Sequence, residues 1–552
     1  MASSEPQSLS LRIKPQFDHN GEAHSLGFSL ALECPSLTAG QSLCCLNTKM
    51  GNGTTQCYTK DQIHVSDSDG FLDIEIHDKG RMRSYLVNRP TTGNVVMNFV
   101  AHPVKVDSKT PIGGRYELRR DQGGLQCMGL STIPIPWDVS LTTKARYRME
   151  IEWDLSDAPQ GTRAVSSFGE GRVQRVHPPF DLWRMVFTVG PLKSYPLDAP
   201  RGGHFGFYWF GKPPTSITAL PPVCEELFAK MSNFFRDKAS EENPYRIFVR
   251  RATPARGFGG SGGIRSFVLE YDDAIDTISQ DEIFTLLAHE MVHNWPLMAA
   301  DSKEDDLDLV AWYNEGVADY YAAVLPYRIS HRTKACFRKH LNAKFTEYYT
   351  NPCRLVSNRQ AEDKAWTSPN LQTVPYTRGL MYFCKLDAQI RRASNGCKSV
   401  DELVLSLLEK LRKYEPFGIR EWKDMLVDVL GAKALEDFQT MNKGELIRLP
   451  ADAFAPDYEV VRVDERELDF GFDMGSFSKR VVSGLNLTSE AAKAGLEDGD
   501  EIIKNTFVWQ CQQNYERKMR MTIRRGHVEH KIEYWPRAEK MVESWRLHET
   551  KS

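Results

Sequence analysis

Three things are scarce in this 552-residue chain, and each scarcity closes a class of explanation. No run approaches the roughly 18–20 apolar residues that a helix needs to cross a bilayer, so no membrane-spanning helix is expected. Net charge is nearly absent: 70 Lys and Arg against 73 Asp and Glu leave a formal charge of -3 at pH 7, which gives no compositional basis for binding nucleic acid or another polyanion. Cysteine is sparse and unpatterned, with 11 residues, an odd number, and no C-x-x-C. The opening residues Met1-Ala2-Ser3-Ser4-Glu5 carry neither the basic nor the apolar region of a signal peptide. Reduced thiols in the cytoplasm are expected, not a disulfide framework.

What remains is the composition of an ordinary globular protein, 41% hydrophobic and 26% charged, long enough for two to four domains. Residues 1–211 read as a β-rich domain. Tyr147–Leu155 alternates large apolar with charged residues, the period of a strand with one buried and one wet face. Phe71–Ile76 and Trp183–Val189 read the same way, and turn clusters such as Ala158-Pro159-Gln160-Gly161 separate such runs. Lys212-Pro213-Pro214 and Leu220-Pro221-Pro222 punctuate the chain. From there to about residue 455 the pattern is mainly helical, as in Ser399-Val400-Asp401-Glu402, a capping box ahead of Leu403–Leu408. Residues 456–552 return to short strands and turns, an arrangement read as a peptide-binding β-module.

One motif dominates the chemistry. His289-Glu290-Met291-Val292-His293 follows Ser279-Gln280-Asp281-Glu282, a second capping box, and an apolar stripe of Ile283, Leu286 and Leu287. Residues four apart on a helix lie on the same face, so both imidazoles reach one ion, and Glu290 beside the first is placed to act as a general base. A third ligand is available at Glu315, inside Leu309–Tyr321, a mostly apolar, helix-compatible segment where a charge needs a compensating partner. Two imidazoles and a carboxylate form a zinc donor set.

Two further segments fall into place around it. Gly257–Gly263 contains G-x-G-x-x-G, but the following Ile264–Tyr271 is strand-like where a dinucleotide site requires a helix. The segment suits a sheet edge that pairs with an extended substrate backbone, with a mobile surface loop as the bland alternative. Pro375-Tyr376-Thr377-Arg378-Gly379 opens another helix, and either the phenol or the guanidinium is a candidate oxyanion donor.

His289–Trp295, together with Trp312–Tyr321 and Tyr376-Thr377-Arg378-Gly379, resembles the glycyl aminopeptidase family of zinc metallopeptidases, gluzincins distantly related to the aminopeptidase N-like enzymes. Val482-Ser483-Gly484 through Asp500 is similar to a PDZ domain, which members of that family carry at the C-terminus. The resemblance implies a multidomain α+β protein: a β-rich domain at 1–211, a thermolysin-like, mainly α-helical zinc peptidase domain at 212–455, and a PDZ-like domain at 456–552. It implies zinc on His289, His293 and Glu315, proton transfer by Glu290, oxyanion binding by Tyr376, and substrate contacts from Gly262, Gly263, Ile264, Arg265 and Arg378. The implied activity is removal of N-terminal residues from short peptides, with a further peptide ligand for the PDZ-like domain.

The chain departs from the family in two places. A glutamate that helps bind the substrate α-amino group normally follows Gly-Gly-apolar, yet Arg265 stands after Ile264 here, and a cation there repels an ammonium. Asp469 ahead of Phe470-Gly471-Phe472 likewise opposes a C-terminal carboxylate. The alternatives to an aminopeptidase are therefore a zinc-dependent hydrolase or tailoring enzyme acting on a non-peptide or carboxylate-bearing small substrate, and a catalytically inactive PDZ scaffold.

Overall fold

The computed structural model describes residues 6–50, 53–107, 110, 116–136, 146–197, 203–237, 240–253, 257–295, 297–298, 310–413, 415 and 417–550. The opening pentapeptide Met1–Glu5 and Leu309 lie outside the described residues. The chain divides into two units, Met1–Asn294 and Trp295–Ser552.

In the first unit, alternation builds sheets. Along Gln7–Phe17 the apolar Leu9, Leu11 and Ile13 are buried while Ser10, Arg12 and Lys14 are exposed. That strand pairs in parallel with Tyr147–Trp153, where Met149 and Ile151 stand opposite Leu9 and Leu11, and antiparallel with Ala23–Leu32. Together they form the middle of a mixed seven-stranded sheet. A five-stranded sheet centred on Val186–Gly190 adds further buried faces to the same apolar core.

Two strands expected from alternation are corrected. Phe71–Ile76 is broken: Gly70–Phe71 ends the seven-stranded sheet, Leu72 donates back to the Val65 carbonyl at 2.9 Å, and Ile74–Lys79 joins a separate three-stranded sheet. Trp183 belongs to a short helix, Phe180–Arg184, because Pro178-Pro179 pre-sets a helical start and Asp181 anchors it by accepting from His177 Nδ1 at 2.8 Å. The strand begins only at Val186.

A third sheet positions the site. Its order is Lys193–Tyr195, Phe205–Trp209, Tyr245–Arg251, Ser266–Tyr271 and Gly259–Gly263. Tyr245–Arg251 is a strand that the sequence pattern hid. It is buried on both faces from Tyr245 to Arg250, so it does not alternate. Its two interior arginines are accommodated by local acceptors. Arg246 donates to the Gly203 carbonyl at 2.7 Å, and Arg250 pairs with Glu270 at 2.8 Å.

The second unit is helical at first, with helices at Ala311–Arg328, Lys334–Tyr349, Val374–Ala393, Val400–Arg412, Ile419–Leu430 and Lys433–Lys443. The expected capping box at Ser399 is present. A cluster of aromatic rings, Trp312, Tyr313, Phe383 and Trp422, locks several of these helices together. Residues beyond Tyr458 form β-structure with its own core around Phe470, Leu496, Ile523 and Tyr534. No helix among the described residues is long and apolar enough to cross a membrane, and the eleven cysteines are unpaired.

The helices Ala311–Arg328 and Val374–Ala393 cross at two glycines. A methyl on Gly379 would lie 2.1 Å from the Trp312 carbonyl oxygen and 2.5 Å from Gly316 Cα, both backbone atoms. Such a clash is relieved only by moving a helix. Gly379→Ala should therefore destabilise the protein by about 1–3 kcal/mol in urea unfolding, the usual cost of overpacking. An unchanged midpoint would show that the helices are less tightly apposed.

Candidate active site

The Gln280–Val292 helix begins as the sequence predicts. Ser279 accepts from the Glu282 amide at 3.3 Å, and Glu282 accepts from the Ser279 amide at 2.7 Å. Ile283, Phe284, Leu287, Met291 and Val292 are buried and fix the helix's rotation. The motif therefore emerges at its C-terminal end. His289 lies in the last turn and His293 is the cap residue, still in helical conformation at φ -57 and ψ -12.

Their rings approach edge to face, with Nε2 atoms 3.0 Å apart and planes at 86°. Two ring nitrogens converging this closely are complementary to a cation between them or to a shared proton. The negative end of the helix dipole favours positive charge at the same place. Glu290, between them in sequence, is a buried carboxylate at 7% exposure.

The glycine-rich segment is the edge strand Gly259–Gly263, antiparallel to Ser266–Tyr271. Its period of two turns Gly260 and Gly262 toward the helix. A methyl on Gly260 would lie 2.4 Å from Glu290 Cγ, Cδ and Oε1, and one on Gly262 would meet His293 Cβ at 3.4 Å and Glu290 Oε2 at 3.7 Å. Any larger residue at Gly260 would displace the carboxylate. Gly260 is thus a site residue that the sequence reading did not single out, although the alternation within the glycine run carries the signal.

The neighbouring expectations need correction. A methyl on Gly263 would face the Arg184 carbonyl at 2.6 Å, not the motif. Ile264 donates its amide to that carbonyl at 2.8 Å and packs on the apolar core. Arg265 turns the hairpin with a left-handed φ of 51 and directs its guanidinium away from the strand edge. That group pairs with Asp237, donates to Pro244 O at 3.0 Å and to Asn243 O at 2.7 Å, and lies over the Phe228 ring. It is a clamp whose charge Asp237 already neutralises. Behind the glycines, the Tyr245 phenol is held well above its ordinary range, first by burial and then by the nearby charge of Glu290.

In the second unit, Glu315 is half-buried near the start of Ala311–Arg328. The preceding Asn314 accepts from the Met298 amide at 2.8 Å and donates to its carbonyl at 3.3 Å. One turn after Glu315, buried Asp319 pairs with Lys344 at 2.8 Å. Tyr376 is half-buried in the first turn of Val374–Ala393, and the Gly316–Gly379 crossing joins the helix bearing it to the one bearing Glu315. Arg378 is not available to a substrate. It is fully buried and donates to Asn358 Oδ1 at 2.7 Å, Arg354 O at 2.9 Å and Val356 O at 2.6 Å, which makes it a tie between helix and loop.

Residues 282–381 match the family model described as M61 glycyl aminopeptidase. No curated protein matches the chain. Among solved structures, the chain is similar to an aminopeptidase N family protein from Idiomarina loihiensis, at 14% identity over 98% of each chain with a TM-score of 0.66. It also resembles an M1 zinc metallopeptidase from Deinococcus radiodurans, at 15% identity over 80% of this chain and 95% of that one, with a TM-score of 0.49. The first likeness is one of fold: a multidomain α+β architecture with a β-rich N-terminal region and helices following.

Arg265→Met should leave Asp237 nearly buried beside its former partner and cost about 3 kcal/mol in urea unfolding, as removal of one member of a buried ion pair does. Adding Asp237→Asn should recover part of the loss. Additive effects of the two substitutions would contradict the pairing.

Proposed function

We propose that the chain is a zinc metallopeptidase of the aminopeptidase kind, acting on short peptides. The observation that carries this reading is the glycine edge strand lying directly over Glu290 and His293. An extended peptide can add to a sheet edge through main-chain hydrogen bonds, and pairing there brings its carbonyls to the helix motif. The family match over residues 282–381 supports the same reading, since it spans the motif, Glu315 and Tyr376.

The donor chemistry fits zinc. His289, His293 and Glu315 would offer a metal two imidazoles and a carboxylate, a zinc donor set. Two nitrogens and one carboxylate oxygen leave a fourth position open, as catalytic zinc sites require. When bound, zinc would polarise the scissile carbonyl and make water nucleophilic near neutral pH.

The chain's own residues supply the rest. Glu290 accepts the proton of the attacking water and delivers it to the departing amine. Its burial against Gly260 keeps bulk water from competing for it. The Tyr376 hydroxyl donates a hydrogen bond to the oxyanion that develops on the substrate. The Gly259–Gly263 edge aligns the substrate backbone. Because Asp237 neutralises Arg265, that cation no longer favours a carboxylate-bearing substrate over a peptide. In this reading the helices take the thermolysin-like role and residues 456–552 the PDZ-like one, in a cytoplasmic protein.

Glu290→Gln should lower kcat by about 1,000-fold or more while zinc content by elemental analysis stays unchanged, because the base is lost and the ligands are kept. Retained turnover would refute Glu290 as the base. Gly260→Ala should lower kcat by about 10–100-fold without loss of zinc, since the displaced carboxylate loses its geometry. Wild-type turnover in that variant would show that the strand and Glu290 are not functionally coupled.

A further inference from the structure

We infer that the C-terminal segment beginning at Tyr458 is a positioning part of the catalytic machinery, in which the adjacent Gln512 and Gln513 hold the two helices that carry Tyr376 and Glu315. The inference rests on the proposed roles of those two residues. Its geometric core lies in the contacts of one short helix, Val508–Gln513.

Gln512 is buried at 2% exposure and donates to Asn370 Oδ1 at 3.0 Å. The Asn370 carbonyl accepts from Asn351 Nδ2 at 2.8 Å, and the same Nδ2 reaches Thr373 Oγ1 at 3.2 Å. Thr373 is the residue from which the Val374–Ala393 helix starts, with Tyr376 in its first turn. The first relay therefore runs from the C-terminal segment to the base of the Tyr376 helix.

Gln513 begins the second relay. It donates to Glu347 Oε2 at 3.1 Å. Lys344 Nζ lies 3.4 Å from the same oxygen and 2.8 Å from Asp319 Oδ2. Asp319 sits four residues after Glu315 on the same helix face. Lys344, Glu347 and Asp319 are all buried, at 8%, 4% and 3% exposure. Lys344 is shared between the two carboxylates, and Gln513 adds a donor to Glu347 without adding charge. Glutamine has that chemistry.

The short helix is itself fixed. Arg537, 2% exposed, donates to Cys511 O at 2.8 Å and Asn514 O at 3.4 Å, capping its last carbonyls. Around it the segment is bolted to the helices by further polar contacts. Asn342 accepts from the Leu547 amide at 2.7 Å, and Arg354 pairs with Glu467 at 2.7 Å. A loosely tethered ligand-binding module has no need of buried polar relays that end beside two functional side chains.

The full-length Gln512→Met, Gln513→Met double variant keeps side-chain volume and removes both donors. Amide hydrogen exchange should show protection falling about 10-fold in Ala311–Arg328 and Val374–Ala393 and unchanged in Val400–Arg412, a selective local opening. In the same variant kcat should fall about 10-fold with KM within about twofold, the smaller end of what remote supporting partners contribute. Loss of protection spread evenly over all helices, or confined to residues 508–549, would overturn the inference, and so would selective opening with unchanged kcat. Selective opening in the double variant, together with a wild-type chain that has no peptidase activity, would sink the proposed function and leave the positional coupling standing.

Discussion

A carboxylate buried against the glycine face of a strand is the constraint from which the site in the first unit follows. Glu290 is 7% exposed and its carboxyl atoms occupy the space that a Cβ at Gly260 would take. Burying such a group is costly unless positive charge or donors compensate it. The paired imidazoles of His289 and His293 and the negative end of the helix together define a place for a cation beside it. The strand has to come close, and only glycine allows that approach. A strand with four glycines in five residues is conformationally loose, so it needs outside support. The register with Ser266–Tyr271 and the Arg265 clamp at the hairpin turn provide it.

The second unit solves a related problem with helices. The two helices that carry Glu315 and Tyr376 are brought into backbone contact at Gly316 and Gly379. Small residues give a close, well-defined crossing, and the aromatic cluster around Trp312 fills the space beside it. Buried charge is handled locally, by Lys344 between Asp319 and Glu347 and by the carbonyls around Arg378. The cationic positions that look functional in sequence, Arg265 and Arg378, are both structural ties.

That contrast explains what was legible beforehand. The helix motif, its capping box and the strand at Tyr147 obey local rules, and the fold follows them. The glycine segment was readable as an edge because a strand, not a helix, comes after it. Failures occurred where tertiary context overrides the local pattern. Tyr245–Arg251 carries arginines inside a doubly buried strand, so neither alternation nor apolarity marks it. Phe71 and Trp183 continue an alternating pattern across points where the chain changes sheet or turns through a helix. The direction of the Arg265 guanidinium depends on Asp237 and Asn243, more than twenty residues away, which no local window contains.

Zinc-edge X-ray absorption on the purified, full-length protein tests the central claim most directly, because it reads the donor atoms themselves. The account predicts about one zinc per chain with nitrogen and oxygen neighbours at ~2.0–2.2 Å, including the multiple-scattering signature of two imidazoles. A spectrum with sulfur neighbours, with no imidazole signature, or with no stoichiometric zinc would contradict it.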